Sequence, residues 1–355
     1  MQEPQTPWIA MMPTASDGPR VGLVRCLAAV GEVVFVLLAL TLLARLLFSL
    51  LGLTDADAYL FPAQGEVDFR GAAKAEASWH ALRYGLALLV VVLVGGIRRR
   101  RSLASYGVTL GTSSPLGLIQ YGLVLFAVTH PPTLLLSMAD RAFSLGPGLP
   151  FWRLMEEVPW DGDFWLFMAV SSFLVVPLVE EFMARGYLLG RLRESFSAGG
   201  ALVVMGVLFA VAHTQYHRAD LLSLGSLLTL VYGSVVWGYA VYRTGSLIPP
   251  MVAHALVNIP LAEALEPYLL VASVGTVLVL RKQIVQNARC LTHLFVTAQD
   301  WAYIAAVCVL LVAFGATLRV PTAPYLWLLG FVAFFIVSLR TPSKWSSADL
   351  AQNAS

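Results

Sequence analysis

The chain has 355 residues, 58% of them hydrophobic and only 12% charged, with a mean hydropathy of +0.75. Soluble domains carry about 25% charged residues, so this composition excludes a soluble globular protein and points to an all-α polytopic membrane protein. The net charge of +2 offers no footprint for nucleic acid, which leaves the lipid bilayer as the first expected partner.

A membrane-spanning helix needs about 20 apolar residues. Ten stretches of that kind are predicted: 26–53, 79–97, 115–138, 164–188, 199–216, 221–242, 247–264, 266–281, 301–318 and 323–339. Eight to ten transmembrane helices are therefore expected. The first stretch is too long for the apolar region of a signal peptide. It is read as an anchor, even though Ala56-Asp57-Ala58 resembles a cleavage site. In the third, His130-Pro131-Pro132 interrupts the helix, because proline removes a backbone donor and clashes with the preceding turn. Either a kink or a gap between half-helices results, serving as a substrate gateway or as a bend in a packing helix. The pattern divides the chain into an N-terminal segment 1–25, N-terminal helices and loops 26–163, a motif-bearing core 164–264 of four helices, additional helices 265–340 and a polar tail 341–355. Outside the core, the two N-terminal and three C-terminal spans show no buried polar cluster.

Basic residues collect on the cytoplasmic side of membrane proteins. Arg20, Arg25, Arg98 to Arg101, Arg191, Arg193, Arg243, Arg281, Lys282, Arg289, Arg340 and Lys344 all fall on one side if both termini are cytoplasmic. The opposite loops 54–78 and 139–163 hold Asp55, Asp57, Glu66, Asp68, Glu156, Glu157, Asp161 and Asp163. Of the 23 basic residues only Lys74, Lys282 and Lys344 are lysine. That bias fits a GC-rich genome and a bacterial cytoplasmic membrane. The three cysteines, Cys26, Cys290 and Cys308, form no CxxC pair, so neither a zinc knuckle nor a redox motif is available, and packing is their expected role.

Ionisable side chains inside a span cost about 2.5–3.5 kcal/mol each on insertion scales and mark functional cavities. Three clusters of this kind lie in the core: Glu180-Glu181-x-x-x-Arg185, Phe209-x-x-x-His213 and His254-x-x-x-Asn258. Glu181 and Arg185 are four apart on one helical face, in the favourable order for an ion pair; they neutralise each other and can lock helices together. Glu180 points about 100° away and is expected to be desolvated and unpaired, the setting of a general base. Phe209 lies one turn before His213 and can wall off water. His213 and His217 are also four apart, but His217 to Asp220 reads as a loop and no HExxH is present. Pro249 and Pro250 suit the first turn of a helix. On that helix His254 and Asn258 share a face, as oxyanion donors or as an interhelical hydrogen-bonded pair. From the assigned cytoplasmic ends, Glu180 lies about 16 Å deep, His213 about 21 Å, Asn258 about 16 Å and His254 about 10 Å, so the three motifs can converge.

These motifs, in this order on successive spans, resemble the CPBP family of glutamate-dependent intramembrane proteases, the CAAX prenyl endopeptidases and bacteriocin-processing enzymes. The family pattern is EExxxR, FxxxH, then HxxxN or HxxxB. The resemblance covers about 164–262 and implies an endopeptidase whose Glu180 and His213 activate water and whose His254 and Asn258 stabilise the oxyanion. Glu181 and Arg185 would support the first helix, and Phe209 completes the pattern. It implies a membrane-associated or lipid-anchored protein or peptide as substrate, cut near its C-terminus. The family has been described as metalloproteases; without a zinc signature here, no metal or other cofactor is expected, with zinc as the alternative. The same residues also fit a non-catalytic membrane partner, such as a bacteriocin immunity or scaffold protein. A third possibility is a proton-coupled transporter with the buried Glu and His as relay, although transporters of that kind show internal repeats and paired broken helices.

Overall fold

The computed structural model describes residues 22–60, 66–93, 106–110, 113–146, 169–259, 263–318, 320 and 322–340. Arg20, the Arg98 to Arg101 run, Glu156, Glu157, Asp161, Asp163 and Lys344 lie outside them. The described residues form helices and no strand. In order these are α1 (Leu23–Leu50), the short α2 (Ala56–Leu60), α3 (Phe69–Val90), α4 (Pro115–Thr129) and α5 (Pro131–Phe143). Next comes an irregular helix. Its α-helical pieces are α6 (Val176–Glu181) and α7 (Leu189–Arg193), and π-helical turns occupy Ala169–Val175 and Phe182–Leu188. Then follow α8 (Ala198–Ala212), α9 (Leu221–Thr244), α10 (Ile248–Val257), α11 (Glu266–Val279), α12 (Arg281–Val296), α13 (Trp301–Thr317) and α14 (Ala323–Arg340).

Among the described residues four helices are long and apolar enough to cross a membrane: Leu23–Leu50, Phe69–Leu93, Pro115–Phe143 and Leu221–Thr244. Glu263–Val279 with Arg281–Val296 would make a fifth, bent by 80°. Several expected spans are shorter than their apolar stretches. The 199–216 span stops at Ala212, about 22 Å from its start, and the 247–264 span stops at Val257 after about 15 Å. Crossing the hydrocarbon layer takes about 30 Å, so both helices end inside it. At His130 the backbone stays in the right-handed helical region, with φ −81° and ψ −33°. The double proline therefore gives a bend within one span, Pro115–Phe143, and no gap.

Helix packing around the core is close. α4 lies against α10, and a side chain at Gly122 would meet the Pro249 carbonyl at 2.8 Å. Gly245, at φ +69°, ends α9 in the left-handed conformation, which glycine adopts without steric cost. The chain thereby turns directly into α10.

The outer spans carry buried polar groups, contrary to the expectation of plain apolar helices. Glu32 of α1 is fully buried; it accepts from Tyr187 Oη at 2.9 Å and Arg191 Nε at 2.7 Å. Glu266 of α11 pairs with Arg141 of α5 and accepts from Ser137. Asp300 accepts from the backbone and hydroxyl of Ser197 at 2.8 and 2.7 Å. A lone acidic residue in an apolar run gives no hint of a partner 150 positions away, which is why these pairs escape a reading by local spacing. The cysteines are free, and Cys26 is buried with its Sγ 3.4 Å from the Ser195 carbonyl.

Removing one partner of a buried ion pair costs about 3–5 kcal/mol, whereas replacing both with apolar groups is often neutral. Arg191 keeps a second partner, Glu194, at 3.3 Å, so Glu32→Leu should lower stability by up to about that amount, and recovery should need Arg191→Met together with Glu194→Gln. Thermal unfolding in detergent checks this; a single variant as stable as the parent would refute the clamp.

Candidate active site

The irregular helix places Glu180 and Glu181 at the end of α6, where the π turn Phe182–Leu188 begins. π turns recur at functional sites because the wider turn resets which side chains share a face. Glu181 is fully buried. Its Oε1 accepts from Arg185 Nη1 at 2.9 Å and lies 2.9 Å from His254 Nδ1. The expected Glu181–Arg185 pair is present, and His254 from α10 joins it as a third member. Sharing one carboxylate oxygen ties α6 to α10.

Arg185 Nε and Nη2 have no hydrogen-bond partner. Instead the guanidinium lies 4.3 Å from the Phe209 ring centroid and 5.3 Å from that of Trp237. A desolvated cation over an aromatic face gains about 2 kcal/mol. Phe209 thus does more than exclude water: it holds the arginine of the first motif. The Trp237 ring also lies 5.2 Å from that of His254, and its Nε1 donates to Thr129 Oγ1 at 3.1 Å. No feature of the sequence pointed to Trp237.

Glu180 is partly buried and is not unpaired, contrary to expectation. Tyr84 of α3 donates its hydroxyl to Glu180 Oε1, and His254 Nε2 lies 3.8 Å from Glu180 Oε2. Tyr84 belongs to a line of groups on one face of α3: Glu76, His80 and Tyr84, spaced by four. His80 Nε2 is 3.3 Å from Glu76 Oε1, and the His80 and Tyr84 rings are 5.5 Å apart. That spacing inside an apolar stretch was the available signal for Tyr84.

His213 is not a helix-interior residue. α8 ends at Ala212, and His213 leaves the helical conformation at φ −88° and ψ 69°. Its Nδ1 lies 2.7 Å from the Phe209 carbonyl. A carbonyl only accepts, so Nδ1 carries the proton, and Nε2 is the nitrogen left to act on a ligand. Glu180 and His213 are within electrostatic reach of each other. The Phe209 and His213 rings are neighbours at 4.7 Å, as their spacing predicted. His217 follows a short 3₁₀ turn and sits against Gly315 of α13.

Asn258 caps the end of α10, and its Nδ2 donates to the Ser172 carbonyl at 3.0 Å. His254 and Asn258 are therefore not two free donors side by side. Each spends one N–H on the irregular helix: His254 on Glu181, Asn258 on Ser172. Each keeps a second nitrogen-bound position, Nε2 of His254 and the other N–H of Asn258. Among the described residues no group of three His, Cys, Asp or Glu side chains is arranged to hold a metal ion.

The stacking of Arg185 on Phe209 is testable without substrate. A double-mutant cycle of Arg185→Met and Phe209→Leu should give a coupling of about 2 kcal/mol in unfolding experiments. A coupling near zero would show that the ring contributes only packing.

No curated protein and no solved structure matches the chain. Residues 162–260, which hold Glu180, Glu181, Arg185, Phe209, His213, His254 and Asn258, match the Type II CAAX prenyl endopeptidase Rce1-like family.

Proposed function

We propose that this protein is an intramembrane endopeptidase that hydrolyses a peptide bond of a membrane-associated or lipid-anchored protein or peptide, near its C-terminus. The family match supports a CAAX-type intramembrane endopeptidase in general terms. The observation that carries the reading is Glu180 held between Tyr84, which donates to Oε1, and His254, whose Nε2 lies 3.8 Å from Oε2.

In this mechanism Tyr84 holds Glu180 Oε1 and leaves Oε2 to take a proton from water. His213 Nε2 holds the same water as a second acceptor. The water oxygen attacks the scissile carbonyl carbon as its proton passes to Glu180. The carbonyl oxygen becomes an oxyanion, which His254 Nε2–H and the second N–H of Asn258 stabilise. Both ring nitrogens of His254 donate in this arrangement, Nδ1–H to Glu181 and Nε2–H to the oxyanion. Collapse of the intermediate breaks the C–N bond, and Glu180 returns its proton to the leaving amine. No step requires a metal ion, so chelators are expected to leave cleavage intact. The basic residues Arg25, Arg191, Arg193 and Arg243 lie at the end of the bundle where α8 begins, linked by contacts such as Cys26 to Ser195 and Arg193 over the Tyr242 ring. That clustering supports a cytoplasmic location for this end and both termini.

The test compares protein C-termini by mass spectrometry in membranes of host cells making wild type or Glu180→Gln at equal levels. New C-termini are expected with wild type only. Identical C-termini, with both proteins folded, would favour a non-catalytic partner that shares the fold. With a substrate in hand, Tyr84→Phe should lower kcat about ten- to a hundred-fold with little change in KM. That loss matches the roughly 1.5–3 kcal/mol of a hydrogen bond to a charged group. An unchanged kcat would remove Tyr84 from the site.

A further inference from the structure

Between the expected spans 266–281 and 301–318 the chain forms a regular helix, α12 (Arg281–Val296), which meets α11 at 80°. α11 with the turn before it, Glu263–Val279, rises about 25 Å. α12 leaves the axis of α11 at nearly a right angle.

Its residues divide cleanly. Ile284, Asn287, Cys290, Leu291, Leu294 and Phe295 turn toward the protein; Asn287 approaches Tyr239 Oη at 3.5 Å, and Leu294 packs beside Gly199 at the start of α8. The outward face carries Arg281, Lys282, Arg289 and His293, with Val285 and Val296 exposed along it. No acidic residue occurs from 281 to 299, and Asp300 is already engaged by Ser197. Three exposed cations cannot sit in hydrocarbon without large cost, which excludes a re-entrant placement. Trp301, exposed and donating Nε1 to the Phe295 carbonyl at 3.0 Å, closes the helix. Exposed tryptophan is the residue favoured at the membrane–water boundary. Contacts of α12 with the start of α8 and the end of α9 place it at the same end as the exposed Arg25.

We propose that α12 is an interfacial helix whose outward face binds anionic phospholipid headgroups. The protein covers the apolar side that a free amphipathic helix would bury in lipid, so the cationic side is what remains for the membrane. Each basic residue near an anionic surface contributes about 1 kcal/mol, screened by salt. Arg281, Lys282 and Arg289 supply the charge, and Val285 and Val296 meet the upper acyl chains. This inference is independent of catalysis.

The experiment reconstitutes the full chain in nanodiscs of mixed phosphatidylcholine and phosphatidylglycerol, extracts it with minimal detergent, and quantifies the retained lipids by mass spectrometry. Wild type should retain phosphatidylglycerol several-fold above its bulk share, and 0.5 M salt should abolish the excess. Arg281→Gln/Lys282→Gln/Arg289→Gln should bring retention to the bulk ratio, while Arg281→Lys/Arg289→Lys should keep it. If the neutral variant fails to fold, the salt series on wild type decides. Retention at the bulk ratio in wild type, or an excess indifferent to salt or to the neutral variant, would overturn the proposal.

Discussion

One buried carboxylate organises the site. Glu181 Oε1 receives Arg185 from its own helix and His254 from α10, each at 2.9 Å. In a low-dielectric interior an unpaired carboxylate would be costly, so its neutralisation is a condition of the fold and of the geometry together. Once His254 Nδ1 is fixed on Glu181, the ring has little choice of orientation, and Nε2 is turned toward Glu180. Phe209 and Trp237 complete the arrangement by covering the arginine, and Trp237 also covers the histidine. The motif residues thus form two layers. Glu181, Arg185 and Phe209 hold; in the proposed mechanism Glu180, His213 and the outer edges of His254 and Asn258 face the substrate.

The helices around the site are short or irregular. α8 and α10 both end before crossing the hydrocarbon layer, at His213 and Asn258, and the glutamate pair sits where α-helix gives way to π turn. Chain ends inside a membrane leave unsatisfied backbone groups. Here they coincide with polar side chains that chemistry needs: His213 binds the Phe209 carbonyl and Asn258 the Ser172 carbonyl. The first contact caps the end of α8, and the second ties the end of α10 to the irregular helix.

The motif positions and their order were legible in the sequence, because a carboxylate or imidazole in an apolar stretch stands out. The pairing of Glu181 with Arg185 and the neighbourhood of Phe209 and His213 followed from helical spacing. The contacts of Glu180 did not, since Tyr84 lies 96 positions away and tyrosine is common in apolar helices. The end of α10 was also hidden: Ile259, Pro260, Leu261 and Ala262 continue the apolar run past Val257, and hydropathy does not register a change of direction. α12 was missed for the opposite reason. It lacks a continuous apolar run, and only its helical periodicity sets Ile284, Asn287, Leu291 and Leu294 on one side. The partners of Glu32 and Glu266 are long-range, as local spacing cannot predict.

The most direct test of the account is the protonation of the His254 ring, because everything at the site follows from its bond to Glu181. Nitrogen NMR of the full-length protein, labelled at histidine and reconstituted in lipid, resolves Nδ1 from Nε2. The account predicts a His254 ring carrying protons on both Nδ1 and Nε2, with an Nδ1 signal that changes in Glu181→Gln. A neutral ring protonated only at Nε2, or a signal indifferent to that substitution, would contradict it.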